Sequence, residues 1–370
     1  MRLFSRILGL AIVALALCSQ SATAAQRYYG TPVYVTGIPD HVNYATLNAQ
    51  RQAGITIPFF QNTVTSPLDG HTYTFQIAGT DPTLAPASTT IQYVPVALVV
   101  HFSNGAVLDP RLPGCNDTKS VKARFFRSPL FTNASLVSNG INVGTTQIID
   151  AFQRAEFWSL VGGTGYHMLL APSAAVKVVN ITAPSGSTAV TGACSGSGHD
   201  LGEIPFFAWD SIVRTEVTKF AQPNQLPVIM AYNIVLTSGG CCIIGYHNAF
   251  GTGNGTQTYA YGAYTDAGIF SGGLQDIHAY THEIGEWAND PFVNNATPAW
   301  GHVGQVSGCQ NNLEVGDPLT GTAFLVTKNG FTYHPQELAF FDWFFRTPSK
   351  GTGGKFSFEG KFTMAQGACH

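Results

Sequence analysis

The spacing of apolar residues predicts a helix across residues 274–292, which read LQDIHAYTHEIGEWANDPF. One face carries apolar residues at the helical period and would anchor the helix to a core: Leu274, Ile277, Ile284 and Ala288. Beside that face, His278, His282 and Glu286 follow one another at four-residue intervals. A serine and two glycines precede the stretch as an entry, and its closing Asn-Asp-Pro is a typical stop. The pattern therefore predicts one helix with a narrow stripe of imidazole and carboxylate groups.

The remaining pattern mixes strand and helix periods. Residues 72–77 alternate polar and apolar side chains like a half-buried strand, and residues 94–102 are apolar enough for a strand buried on both faces. Helical spacing recurs at about 146–160 and 209–220. Further strands are predicted at 167–170, 176–181, 226–236, 242–250 and 259–264. A Gly/Ser-rich loop at 183–202 is the natural internal boundary.

These elements predict an α+β fold in two regions. Residues 25–200 form a β-rich region, and residues 201–370 form the region that carries the striped helix. The order of elements in the second region, a helix, several strands and then the striped helix, resembles the catalytic core of zincin metallopeptidases. The C-terminal half is therefore expected to be zincin-like.

The first residues predict export. Arg2 and Arg6 precede an apolar run at 8–17, and Ala-Thr-Ala at 22–24 supplies a small-residue cleavage site. Residues 1–24 are therefore interpreted as a signal peptide, and the mature protein as secreted, either periplasmic or extracellular. No later apolar run is long enough to suggest a membrane span.

Composition narrows the function classes. Charged residues make up 11% of the chain, against about a quarter in an average soluble domain. The net charge of −3 gives no basis for nucleic-acid binding. Outside the signal peptide there are six cysteines, which suggests up to three disulfides in an oxidising compartment. Cys241 and Cys242 are neighbours, and each is expected to pair with a different partner.

The striped helix contains a His-Glu-x-x-Glu motif. Side chains one helical turn apart can bind the same zinc ion, so His282 and Glu286 are the expected ligands. Glu283 follows the first ligand and is placed to act as the general base for hydrolysis. His278 lies on the same line and is either a further ligand or a hydrogen-bonding group behind the ligands. The alternatives are an amphipathic helix with a solvated polar face and a buried structural network.

A third ligand must come from outside the helix. The sequence LEVGDP offers Glu314 and Asp317, and Glu314 ranks first because it is one of only eight glutamates and lies in a glycine-flanked loop. Asp317 is also explained as an ordinary turn residue. His334, His247 and His302 are the possible nitrogen ligands.

HEIGEWANDPF followed by LEVGDP resembles a family of secreted bacterial proteins with a His-Glu-x-x-Glu helix that ends in Asp-Pro. That family distantly resembles the plant phosphate-induced (exordium-like) proteins, and the resemblance covers roughly residues 204–345. Plant relatives often lack the histidine equivalent to His282, whereas this chain has it.

Two functions are expected from the motif and the resemblance. The first is a secreted metal-dependent hydrolase, most simply a zinc peptidase acting on a peptide or protein. The second is a non-catalytic secreted or cell-surface protein in which the helix is a structural relic or a binding site.

Overall fold

The computed structural model describes residues 32–35, 37, 43–115, 117–192 and 200–370. The predicted signal peptide and Cys194 lie outside the described residues. Of the described residues, 37% lie in strands and 21% in helices. Strands therefore dominate this part of the chain.

The described residues contain seven α-helices: α1 (Tyr44–Gln52), α2 (Val121–Phe126), α3 (Ile148–Glu156), α4 (Trp158–Val161), α5 (Phe206–Phe220), α6 (His278–Asn289) and α7 (Phe341–Phe345). Short 3-10 turns lie at Pro82–Leu84, Asp317–Leu319 and Thr352–Gly354. Within the described ranges, the helices are all too short or too polar to cross a lipid bilayer.

The same residues contain nineteen strands: β1 (Val33–Tyr34), β2 (Phe59–Thr65), β3 (Thr72–Ala78), β4 (Thr89–His101), β5 (Val107–Leu108), β6 (Ala134–Ser138), β7 (Ile141–Thr146), β8 (Met168–Pro172), β9 (Lys177–Thr182), β10 (Thr188–Val190), β11 (Leu201–Pro205), β12 (Leu226–Tyr232), β13 (Ile234–Thr237), β14 (Cys241–Thr252), β15 (Gly255–Tyr264), β16 (Ala296–Val303), β17 (Val306–Asn312), β18 (Val326–Lys328) and β19 (Phe331–Tyr333). Eleven of them form one mixed sheet in the order β10-β11-β13-β14-β15-β12-β4-β5, with β1 beside β14 and both β8 and β9 beside β4. The others pair as four hairpins: β2 with β3, β6 with β7, β16 with β17, and β18 with β19.

The prediction of an α+β fold with a zincin-like C-terminal half is wrong. The molecule is mostly β, and its large curled sheet takes strands from both sides of residue 200. Strand β12 of the second region pairs in parallel with β4 of the first, so the two regions share one sheet. Between residues 200 and 370 the only α-helices are α5, α6 and the five-residue α7. The order of elements was close to the prediction, but their pairing does not build a helical zincin half.

Both faces of the large sheet are covered in this region. Side chains along each strand point alternately to the two faces. On one side, Tyr246, Tyr259 and Tyr261 pack with Trp209 of α5. On the other side, Ala249 and Ala260 belong to the core that contains Ile284 of α6. Helix α6 packs directly on β14 and β15. Both faces of this part of the sheet are therefore buried, and α6 lies inside the molecule.

Helix α6 begins later than its apolar pattern suggests. The stretch was predicted to be helical from Leu274, but the helix starts at His278. Asp276 has a positive φ of 46°, which a right-handed helix does not accommodate. Its N–H donates to the carbonyl oxygen of Thr265 at 2.9 Å, so the end of β15 fixes the turn before the helix.

The cysteines also differ from expectation in one respect. Cys241 and Cys242 are bonded to each other rather than to separate partners. Cys309 is bonded to Cys369, which ties the chain terminus to β17. Cys115 is disulfide-bonded as well.

Candidate metal centre

Helix α6 places its polar stripe in the interior of the protein. His282 and Glu283 are fully buried, and Glu286 is only 3% exposed. His282 Nε2 lies 3.0 Å from Glu286 Oε1 across one turn of the helix. The alternative of a solvated polar face is therefore excluded, and the motif forms a buried pair of imidazole and carboxylate.

Strand β14 supplies the surface beneath the helix. Because side chains alternate along a strand, Gly245 and His247 face α6 while Tyr246 faces α5. A Cβ atom at Gly245 would lie 2.6 Å from Glu283 Oε1, so only glycine leaves space for that carboxylate. His247 Nδ1 lies 3.3 Å from Glu283 Oε2 and 3.6 Å from Glu286 Oε2. His247 therefore contacts both carboxylates of the motif.

The loop after β17 forms another side of the site and contacts Glu286 and His282. The backbone N–H groups of Gly316 and Asp317 donate to Glu286 Oε1 at 3.1 and 3.3 Å. A Cβ atom at Gly316 would lie 2.5 Å from His282 Nδ1, which explains a glycine at this position. Asp317 Oδ1 lies 3.5 Å from His282 Nε2. The glycine in LEVGDP thus permits close approach of the loop to the helix.

Two buried groups within the described residues have the arrangement of metal ligands. The first group is His282, Glu286 and Asp317, and the second is His247, Glu286 and Glu314. In each group, one ligand atom per residue lies within 4.8 Å of the other two. Both acidic candidates of the loop therefore reach the helix, Asp317 beside His282 and Glu314 beside His247. Glu286 belongs to both groups.

A third group forms near the surface from His302, Cys309 and Cys369. Its two cysteines are bonded to each other. They offer no thiolate while the disulfide is intact, so this group is a poor metal site.

The other two histidine candidates are not members of these groups. His278 Nδ1 lies 3.3 Å from the carbonyl oxygen of His334, and burial lowers the pKa of His278 to about 3, which keeps it neutral. His334 Nδ1 is paired with Asp276 at 2.7 Å. His278 therefore lies beside the site, and His334 belongs to a separate hydrogen-bonded pair with Asp276.

Amide side chains hold the candidate ligands in place. Gln336 Oε1 accepts from His282 Nδ1 at 3.1 Å, and Gln336 Nε2 donates to the carbonyl oxygen of Gly316 at 2.7 Å. Gln305 and Gln310 both donate to the Asp317 carboxylate, Gln310 at 3.1 Å. The bond at Nδ1 leaves His282 Nε2 directed at the carboxylates.

Tyr34 covers the site from β1. Its ring stacks on the His282 ring with centroids 3.5 Å apart and an interplanar angle of 12°. Gln305 accepts from the N–H of Tyr34 at 2.8 Å and donates to its carbonyl oxygen at 3.1 Å. The phenol oxygen is buried and has no hydrogen-bond partner among the described residues. Strand β1 therefore forms a wall of the site.

The electrostatics separate the two glutamates of the motif. Burial raises the pKa of Glu283 to about 7, although the bond from His247 opposes this shift. Burial acts on Glu286 as well, but His282 and His247 hold its pKa below its usual range. The surroundings therefore favour the ionised form of Glu286, while the pKa of Glu283 lies near neutral pH.

The other members of the two ligand groups also have shifted pKa values. We call these residues, together with Glu283 and Glu286, the cluster. Burial would lower the pKa values of both histidines, but the neighbouring carboxylates raise them well above the usual range. Burial, reinforced by the charge of Glu286, raises the pKa values of Glu314 and Asp317. The cluster contains more carboxylates than imidazoles, so it lacks positive charge.

Sequence reasoning identified the helix and the loop but gave no special weight to His247. The alternation of β14 was a usable signal, because it places Gly245 and His247 on the same face. Tyr34 and Gln336 had no sequence signal, since they reach His282 only through the tertiary fold.

No family model, curated protein or solved structure matches this chain. The resemblance to secreted proteins with a His-Glu-x-x-Glu helix stays a prediction.

Proposed function

We propose that the mature protein is a secreted metal-dependent hydrolase, with Zn²⁺ as the expected ion and a peptide or protein as the expected substrate. The observation that carries the proposal is the buried group of His282, Glu286 and Asp317 with Glu283 beside it. One imidazole and two carboxylates are ordinary ligands for a catalytic zinc ion. Such an ion would supply Lewis-acid activation of water and of the scissile carbonyl.

The residues of the chain have distinct roles in this proposal. Glu286 remains charged and is fixed by two backbone N–H groups. Gln336 orients the His282 imidazole so that Nε2 faces the carboxylates. Glu283, with a pKa of about 7, is suited to accept a proton and return it near neutral pH. Its Oε1 atom is buried and has no hydrogen-bond partner among the described residues.

A second candidate function is a non-catalytic secreted or cell-surface protein with a structural metal centre. The burial of the donors favours it, because the most exposed residue of the two ligand groups, Asp317, is only 6% exposed. Structural metal sites are closed, whereas catalytic sites keep an open position. As a catalyst, the protein would have to admit substrate to these buried donors.

Metal removal and a base variant distinguish the two candidates. The metal-loaded mature protein, its chelated form and Glu283→Gln would be assayed against a mixed peptide library and melted in parallel. A hydrolase requires cleavage by the loaded protein, loss of cleavage on chelation, and a fall of about 10²–10⁴-fold in Glu283→Gln at unchanged metal content. A melting temperature that falls on chelation, without cleavage in any sample, would contradict the hydrolase and support the structural centre.

A further inference from the structure

The two ligand groups meet at a single carboxylate. Glu286 Oε1 faces His282 Nε2 at 3.0 Å, and Glu286 Oε2 faces His247 Nδ1 at 3.6 Å. The two oxygens of one carboxylate therefore point to two different imidazoles. Each imidazole has its own additional carboxylate, Asp317 on one side and Glu314 on the other.

We propose that the cluster is a dinuclear metal centre bridged by Glu286. The first position is the one used by the proposed function, with His282 and Asp317, and the inference rests on that function. The second position is formed by His247 and Glu314. Carboxylates that bridge two cations are a feature of hydrolytic sites whose metals lie about 3.5–4 Å apart and stabilise both the attacking and the leaving oxygen.

Charge balance supports two cations rather than one. Four carboxylates are buried together here: Glu283, Glu286, Glu314 and Asp317. With both imidazoles neutral, as metal binding requires, the four carboxylates contribute a charge of −4 when all of them are ionised. One divalent cation leaves a net charge of −2 in the interior, whereas two cations leave none. Uncompensated buried charge is costly, so the second cation removes a large penalty.

Asp290 is a further buried carboxylate near these four but is not a member of either ligand group. It lies one turn beyond Glu286 and is also buried. Its carboxylate accepts from the backbone N–H groups of Asn294 and Asn295 at 2.9 to 3.2 Å. Its hydrogen-bonding needs are therefore met outside the cluster.

Atoms without hydrogen-bond partners point independently to a missing ligand. His247 Nε2 and Glu283 Oε1 are buried and form no hydrogen bond with any described residue. Buried polar atoms in native proteins are nearly always satisfied by protein, water or an ion. His247 belongs to the second ligand group, so a cation at the first position alone leaves its Nε2 atom unexplained.

The donor set indicates the class of metal. Each position has one imidazole and at least two carboxylate oxygens, with no thiolate. Oxygen-rich sets of this kind suit Mn²⁺ and Fe²⁺ as well as Zn²⁺. Mn²⁺ is therefore a suitable probe, because pairs of neighbouring Mn²⁺ ions couple magnetically and can be recognised by electron paramagnetic resonance.

The test is a titration of the chelated mature protein with Mn²⁺, followed by elemental analysis and electron paramagnetic resonance. We expect two equivalents per chain and an exchange-coupled spectrum. Glu314→Gln should bind one equivalent and give an uncoupled spectrum. The exposed Glu359→Gln serves as the matched control and should bind two. Circular dichroism would establish that each variant is folded.

The possible outcomes separate this inference from the proposed function. One equivalent in the unmodified protein would overturn the second position and leave the first intact. No bound metal would overturn both. Two coupled ions that persist in Glu314→Gln would overturn the assignment of Glu314 to the second position.

Discussion

Glu283 and Glu286 are three residues apart on one helix but occupy different surroundings. Glu286 accepts from two backbone N–H groups and faces two imidazoles. Glu283 lies over Gly245, and its carboxylate contacts His247. Surroundings that drive the pKa values of two neighbouring titratable groups in opposite directions are typical of acid–base sites. The sequence motif specified both residue types, but this difference depends on β14 and on the loop after β17.

Gln336 tests whether the orientation of His282 matters. Gln336→Ala removes the acceptor at His282 Nδ1 and the donor to Gly316. Such outer partners typically change metal affinity by about 10–100-fold, so we expect a loss of that size in a Zn²⁺ competition titration. Gln92→Ala, an exposed change on β4, should have no effect. Equal affinities for the two variants would show that Gln336 does not support the site.

Asp290 predicts a pH effect on stability. Burial raises its pKa from 3.8 to about 7 in the folded protein. Between these values the folded protein retains a proton that the unfolded chain has lost, so stability falls as pH rises through this range and levels off above it. Across the whole range, the free energy of unfolding is expected to fall by about 4 kcal/mol.

Urea unfolding of the unmodified protein and Asp290→Asn at pH 5 and pH 8 measures this effect. The unmodified protein should lose more stability than the variant between the two pH values. If both lose the same amount, the pKa of Asp290 is not raised.

At the scale of elements, the sequence predicted α6 well because its apolar face is periodic and its stop is explicit. The predicted start of the helix was wrong. The positive φ of Asp276 and its hydrogen bond to Thr265 depend on the tertiary fold and leave no signal in the apolar pattern. The strands at β14 and β15 were also predicted from their apolar runs. Their register, which places His247 under α6, follows from pairing such as Gly245 with Gly262. A one-residue slip would turn His247 to the other face.

Gly245 tests the fit of α6 on β14. Gly245→Ala would place a Cβ atom 2.6 Å from Glu283 Oε1, so the carboxylate must move. We expect the metal to be retained and hydrolysis to fall by at least about tenfold, because misplacement of about 1 Å can cost 10²-fold. Gly253→Ala is the control, since its Cβ would meet nothing within 4 Å. Unchanged hydrolysis in Gly245→Ala would mean that the position of Glu283 is not critical.

At the scale of the whole molecule, element order along the chain did not reveal which strands are neighbours. Strand β4 pairs in parallel with β8, β9 and β12, which come from both predicted regions. Apolar runs predict strands but carry little information about their partners. This is why the predicted zincin-like half was wrong while most of its elements exist.

The disulfide between Cys309 and Cys369 is expected to stabilise the whole fold. The two cysteines are 60 residues apart in sequence, and closing a loop of this length contributes about 4 kcal/mol through the unfolded state. The double variant Cys309→Ser/Cys369→Ser should therefore unfold at clearly lower urea concentration. An unchanged unfolding midpoint would show that the bond adds no stability.

The most direct measurement of the central claim is the metal content of the mature protein compared with Glu286→Gln. Both would be loaded with Zn²⁺, dialysed and analysed for bound metal. Because Glu286 contributes to both ligand groups, the unmodified protein should retain at least one equivalent and the variant almost none. Less than about a tenth of an equivalent in the unmodified protein, or equal retention in both, would contradict the assignment of this buried cluster as a metal centre.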